Sequence, residues 1–252
     1  MVNRLFVATA IALSSVVEQA AHAGSTMQVP GRTAELLFVG DYYPGEVRVV
    51  TGDTLLGLFR SSGSWELAPT RLVVEPIHNA CTDKPGENNG RRVHIDHTEA
   101  PLFLVRGVPR LQPGRVRTLF SGRDQVFPGQ SREFEFKSRV DYWMFSAFGT
   151  VPYTQPGRAV EGGIRDYILA VSRSPWDRAQ TIFEFHASPG AGGLYNPPTL
   201  VWVGDMDGDG QMDLFLDTKT GELGDSWVLY LSSLATGQEL VHKVAEHHGR
   251  IC

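Results

Sequence analysis

The sequence predicts an all-β protein, a single large antiparallel domain of sandwich-like type, with a smaller β-unit built on an acidic loop near the C-terminus and no full propeller. Three observations carry this. Short apolar or alternating runs recur along the chain, each bounded by Gly, Pro, Asn or Ser, with 27 glycines and 15 prolines in 252 residues as punctuation. Before the C-terminus, no window sustains apolar spacing at i, i+3, i+4 and i+7 without a Gly or Pro interrupting it, so long helices find no support. In REFEFK, Phe134 and Phe136 share one face while Glu133, Glu135 and Lys137 share the other, the period of a half-buried strand.

The chain opens on MVNRLFVATAIALSSVVEQAAHAG, with Arg4 in a short basic start, an apolar stretch from Leu5 to Val17 and Ala21-His22-Ala23 before Gly24. This is the pattern of a cleaved secretory signal peptide over residues 1–23. The apolar stretch is shorter than the roughly 20 residues that span a bilayer, and no later run reaches that length, so no membrane span is expected. No Cys stands at the cleavage site to carry a lipid anchor, which favours a periplasmic or secreted location. The net charge of −5 is mild and gives no reason to expect nucleic acid as a partner.

From Ala34 the candidate strands follow one another: AELLFVG, GEVRVVTG, DTLLGLFR, TRLVVEP, PLFLVRG, RVRTLFSG, REFEFK, DYWMFSAF, DYILAVSR, TIFEFHAS, TLVWVGD and SWVLYLSS. In TIFEFHAS, Phe183 and Phe185 repeat the alternation of REFEFK. The segment GQELVHKVAEHHG fits either a strand or a short helix, with Leu240, Val241, Val244 and Ala245 as the helical stripe. Pro/Gly-rich stretches at 150–163 and 188–198 divide the chain into a β-rich region, 24–190, and a C-terminal unit, 191–252, which can equally form one domain with it. Only Cys81 and Cys252 remain as cysteines, and in an oxidising compartment they are most economically read as one disulfide, a free terminal thiol being the alternative. Such a staple contributes up to roughly 4–5 kcal/mol in the chain-entropy model.

VGDMDGDGQMDLFLD, residues 203–217, holds most of the chemistry. Counted from Asp205, aspartates stand at positions 1, 3, 5 and 9, with Gly210 at 6 and Gln211 at 7. Asp205, Asp207, Asp209 and Asp213 offer side-chain oxygens and Gln211 its backbone carbonyl, an all-oxygen set that suits a hard cation, Ca²⁺ above Mg²⁺. An EF-hand is excluded, because position 12, where a bidentate Glu belongs, is Leu216, and the flanks LVWV and DLFLD are strand-like.

The stretch GDMDGDGQMDLFLDTKTGELGDSWVLYLSS resembles one repeat of the FG-GAP or VCBS type, the unit of integrin-like propellers. That resemblance implies a Ca²⁺ held by Asp205, Asp207, Asp209, Gln211 and Asp213, with a further strand ending in a small polar cluster. It covers about 30 residues, and no second DxDxDG exists to build further blades.

Other constellations are weaker. VHIDH offers His94, Asp96 and His97, but a strand would turn His94 and Asp96 to one side and His97 to the other. No GxSxG, SxxK or HExxH occurs. The arginines Arg91, Arg92, Arg106, Arg110, Arg115 and Arg117 read as solvated strand and turn residues. Among the aromatics, Trp202 and Trp227 read as core, while Tyr42, Tyr43 and Trp176 lie beside turns and are the candidates for an exposed sugar-stacking platform. The expectation is therefore a secreted or periplasmic protein with one structural Ca²⁺ site, a non-enzymatic binding, adhesion or envelope role, and a glycan or protein ligand. The alternative is an extracytoplasmic hydrolase around His94, Asp96 and His97.

Overall fold

A computed structural model describes residues 34–138, 141–151, 163–187, 193–194, 196–219 and 226–249. The expected signal peptide, residues 1–23, and Cys252, the expected partner of Cys81, lie outside the described residues. Fifteen strands and no helix occur among the described residues. In order they are β1 Glu35–Leu37, β2 Gly40–Tyr42, β3 Thr54–Ser61, β4 Ser64–Ile77, β5 Gly90–Ile95, β6 Leu104–Arg106, β7 Gly114–Gln125 and β8 Ser131–Ser138. They continue with β9 Asp141–Thr150, β10 Arg165–Ser172, β11 Gln180–Phe185, β12 Thr199–Asp205, β13 Asp213–Asp217, β14 Ser226–Leu231 and β15 His242–His248.

All ladders are antiparallel and fall into two sheets. The larger follows the order β1-β6-β3-β4-β7-β12-β13-β14-β15, with β5 and then β2 branching from the far half of β4. It curls until β15 lies beside β1 without a ladder between them, a nearly closed barrel. Phe38 fills that seam against Trp227 and His247, and Tyr42 packs edge-on to the same histidine. The smaller sheet, β11-β10-β9-β8, covers one side of this barrel.

Three apolar clusters result, and β12 to β14 form the wall between the two larger cores, while Leu37, Leu55, Leu72 and Val93 belong to a smaller third one. Leu200, Val203, Leu214, Leu216, Val228 and Tyr230 face the smaller sheet and meet Trp143, Phe145, Tyr167 and Leu169. From the same strands, Trp202, Phe215 and Leu229 face the barrel interior with Leu58, Leu67, Phe103 and Val105. Every residue of β12 and of β13 is buried, which explains why TLVWV and LFL read as continuous apolar runs rather than as alternation. REFEFK does alternate, with Phe136 buried and Glu133 and Glu135 exposed.

Three expectations change. GEVRVVTG forms no strand, although Val47 and Val49 are buried, and its backbone reaches the sheet at its end, where the Gly52 N–H donates to the Leu72 carbonyl of β4 at 2.9 Å. The ambiguous C-terminal segment is a strand, β15, since the open edge of β14 takes its backbone from Ser226↔His248 to Leu231↔His242. Tyr42 is 5 % exposed rather than a platform residue. Its hydroxyl accepts the Phe38 N–H and donates to the Phe38 carbonyl, both at 2.7 Å, and burial pushes its pKa up to about 12.

Candidate metal centre

The acidic loop joins β12 to β13, so it closes the hairpin that both cores share. Gly208 and Gly210 adopt φ of 76° and 78°, the left-handed conformation that glycine reaches without a Cβ penalty and that coils the loop back on itself. Asp205 accepts the N–H of Gly208 at 2.8 Å on Oδ1 and that of Gly210 at 3.0 Å on Oδ2. Asp207 accepts the Asp209 N–H and Asp209 accepts the Gln211 N–H, two successive turns of the Asx kind. These bonds aim the side chains inward, and one carboxylate oxygen from each of Asp205, Asp207 and Asp209 lies within 4.8 Å of the others.

That spacing matches a common cation, because two oxygens bound at 2.3–2.6 Å on opposite sides of Ca²⁺ stand about 5 Å apart at most. The donor set is hard oxygen throughout, with no His or Cys. Residues and cation therefore fit: each carboxylate has about four lone-pair sites and retains capacity beyond the backbone N–H bonds it accepts.

The side chains of the two other expected ligand residues make further contacts. Asp213 is fully buried, its Oδ2 taking the Met206 N–H at 2.7 Å and its Oδ1 taking the N–H and hydroxyl of Ser232 at 2.9 and 3.1 Å. It ties the loop to the end of β14 rather than joining the group of three. Gln211 accepts Arg173 Nη2 on its side-chain Oε1 at 2.6 Å, which fastens the loop to the end of β10. Ser232 and Ser233 are the polar cluster beyond β14, with Ser233 donating to Asp207 and Ser232 to Asp209. Burial raises the Asp213 carboxyl well above the usual carboxylate range, and the charges of Asp207 and Asp209 push it the same way. Asp205 is raised by the same two causes, burial first.

The histidine constellation is also placed. β5 ends at Ile95, so strand alternation does not reach His97, and His94 and His97 line one open cleft of about 380 Å³ with Asp41 and Arg92 instead of facing opposite ways. His94 Nε2 lies 3.0 Å from Glu75, and the His97 ring packs on Phe59 with centroids 4.4 Å apart. Among the described residues, no histidine joins two further metal-binding side chains. The C-terminal histidines are spread over separate contacts: His242 with Glu239, His247 at the barrel seam, and His248 with Ser226.

Of the arginines, Arg106 is the one drawn inward, bridging Glu35 at 2.6 Å and Asp53 at 2.9 Å on the floor of a 660 Å³ cavity. Trp202 is core, Trp227 is half-buried against Phe38 and Phe215, and Trp176 stands 92 % exposed. A polar cleft at the end of β7 has no counterpart in the sequence reading, because Arg123, Asp124, Gln125, Phe127 and Arg132 become neighbours only when β7 turns into β8. Compared with known proteins, the chain matches no family model, and no curated protein and no solved structure is found to be similar to it. Among the described residues no helix is long and apolar enough to cross a membrane.

Proposed function

We propose that this chain is an extracytoplasmic binding protein whose two-core β body is clipped by one structural Ca²⁺. The observation that carries the reading is the convergence of Asp205, Asp207 and Asp209 on the loop between two fully buried strands. Three carboxylates placed this close repel one another, and a divalent cation removes that cost while fixing the hairpin that both cores use. The integrin-type resemblance of residues 204–233 points the same way, and the compartment fits, since a secreted protein meets enough Ca²⁺ to fill a weak site permanently. The role is structural: the carboxylates are already engaged with backbone N–H groups, and the serine hydroxyls beside them, Ser232 and Ser233, spend their protons on these carboxylates, with no base placed to activate them.

Isothermal titration of the metal-free protein with CaCl₂ should report one site, and Asp207→Ala combined with Asp209→Ala should remove it. Absence of heat in the wild type defeats the reading. Export is checked apart from this, by N-terminal sequencing of the protein recovered outside the cytoplasm, which should begin at Gly24.

The second reading, a hydrolase, draws on His94 and His97 sharing a cleft. It is the weaker one, because Asp96 does not line that cleft and both histidines already hold contacts at an exposed surface.

A further inference from the structure

The cleft at the end of β7 is lined by Arg123, Asp124, Gln125, Phe127, Gln130, Arg132 and Thr199. Its volume is about 470 Å³, within the roughly 300–1,000 Å³ of small-ligand sites. Its wall carries two guanidinium groups, and each is already neutralised. Arg132 grips Asp124 with Nε at 2.6 Å and Nη2 at 3.4 Å, while Arg123 Nη2 donates to Asp217 at 2.7 Å. An anion gains little from such paired arginines, whereas a neutral polyol can use the remaining guanidinium N–H donors and carboxylate acceptors side by side. Gln125 spends its Nε2 on the Pro197 carbonyl at 2.9 Å, which turns its amide oxygen into a fixed acceptor beside them.

One apolar surface completes the wall. Phe127 is 39 % exposed, although most of the phenylalanines in this chain are packed away. The loop that bears it is held at every position: Tyr167 Oη donates to the Val126 carbonyl at 2.7 Å, and the Phe127 N–H donates to Gln130 Oε1. Gln130 N–H returns to the Phe127 carbonyl at 2.9 Å, and Gly129 and Gln130 exchange backbone bonds with Ala147. An aromatic face on a rigid loop, beside charge-neutral hydrogen-bonding groups, is pre-organised for a ligand with a C–H face and a hydroxyl rim.

We propose that this cleft binds a neutral sugar, one hexopyranose unit stacked on Phe127 with its hydroxyls on Asp124, Arg132 and Gln125. The inference rests on the binding role proposed above and supplies its ligand class, but it uses none of the residues of the calcium loop.

The test is saturation-transfer NMR on the full mature chain in CaCl₂, with glucose, galactose, mannose and N-acetylglucosamine each offered at millimolar concentration, and inorganic phosphate followed by its own ³¹P line. At least one sugar should receive saturation, strongest on the C–H protons of one ring face. Phe127→Ala should weaken it about tenfold, as expected for an aromatic face worth about 1.4 kcal/mol, with the melting temperature unchanged. Trp176→Ala and Phe148→Ala, which remove the two other exposed large aromatics among the described residues, should each leave it intact. No saturation of any of the four sugars overturns the proposal. So does binding lost in Trp176→Ala but kept in Phe127→Ala, or phosphate broadening abolished by Arg132→Gln without any sugar signal. The variant Asp207→Ala with Asp209→Ala, assayed below its melting temperature, should keep the sugar signal, so the cation and the sugar stand or fall separately.

Discussion

Removing Asp207 and Asp209 is the cleanest perturbation of the acidic loop. Asp205 also receives the N–H groups of Gly208 and Gly210, and Asp213 those of Met206 and Ser232, so truncating either would disturb the loop with or without a cation. Asp207 and Asp209 stand nearer the solvent and hold single backbone N–H groups, at 3.3 and 2.7 Å. A ligand that binds only the folded state stabilises it by RT ln(1 + [L]/Kd). With Kd on the order of 10⁻⁴ to 10⁻³ M, typical of extracellular calcium modules, about 10 mM CaCl₂ gives roughly 1.4–2.7 kcal/mol. For a chain of this size each kcal/mol moves the melting temperature by about 2–4 °C, so a rise of about 3–11 °C over EGTA is expected. Scanning calorimetry in the two buffers reads it. The double variant should melt somewhat lower in EGTA, having lost two turn bonds and the serine contacts, and should gain nothing from calcium. A wild type with the same melting curve in both buffers refutes the reasoning, as does a double variant that retains the full calcium-dependent rise.

Other consequences are local. Phe215 is fully buried in the barrel core against Phe103, with centroids at 4.6 Å, and stacked on Trp227 at 5.4 Å. Phe215→Ala should cost about 3–5 kcal/mol in denaturant unfolding, and a loss below about 1 kcal/mol would show that the barrel interior is not packed as described. The Arg92 guanidinium, hydrogen-bonded to Asp41 at 2.6 Å, holds that carboxyl below its ordinary value of 3.8. A depressed carboxyl contributes stability above its unfolded pKa and loses it as pH falls through the folded one. Asp41→Asn should therefore be slightly less stable than wild type at neutral pH, with the difference closing in acid below about pH 3.8; urea midpoints that differ equally at both ends would contradict the pairing. The effect is small because both side chains are about half exposed.

The strand content was legible because its signal is local. Phe134 and Phe136 alternate with Glu133 and Glu135 within six residues, and the structure buries them as the alternation requires. The loop was legible for the same reason, since Asp205, Asp207, Asp209 and the two turn glycines all lie within six positions. What was missed or left open was whatever depends on distant partners. Tyr42 looks exposed beside Pro44 and Gly45, yet Phe38, just after β1, and His247 of β15 cover it. The strand β15 carries a helical stripe that an open sheet edge overrides. Position 9 of the loop holds the expected aspartate, but Asp213 is claimed by Ser232 from another strand, 19 residues on. The sugar cleft had no sequence signal, because Asp124 and Arg132 gain their meaning from the turn between β7 and β8.

The position of the loop decides how much its cation matters. A calcium site on a peripheral hairpin orders that hairpin alone, since the rest of the core is indifferent to its end. Here the hairpin is the partition of the molecule: Leu214 and Leu216 pack into one core, and Phe215, between them, packs into the other. Gly204 leaves no slack at its end, because a Cβ there would stand 2.1 Å from the Arg117 carbonyl of β7. Loop geometry is thus passed to the Arg117 end of β7, which carries β12 on one side and β4 on the other, while the polar cleft lies at the opposite, Gln125 end of that strand. Splaying the loop would move the register of β12 against β7 and of β13 against β14, and a one-residue slip would exchange the two faces and hence the two cores. Three carboxylates held on one ion at that point would constrain both cores at once, so the proposed calcium site should show its response in the global melting temperature and not only in the local order of residues 205–213.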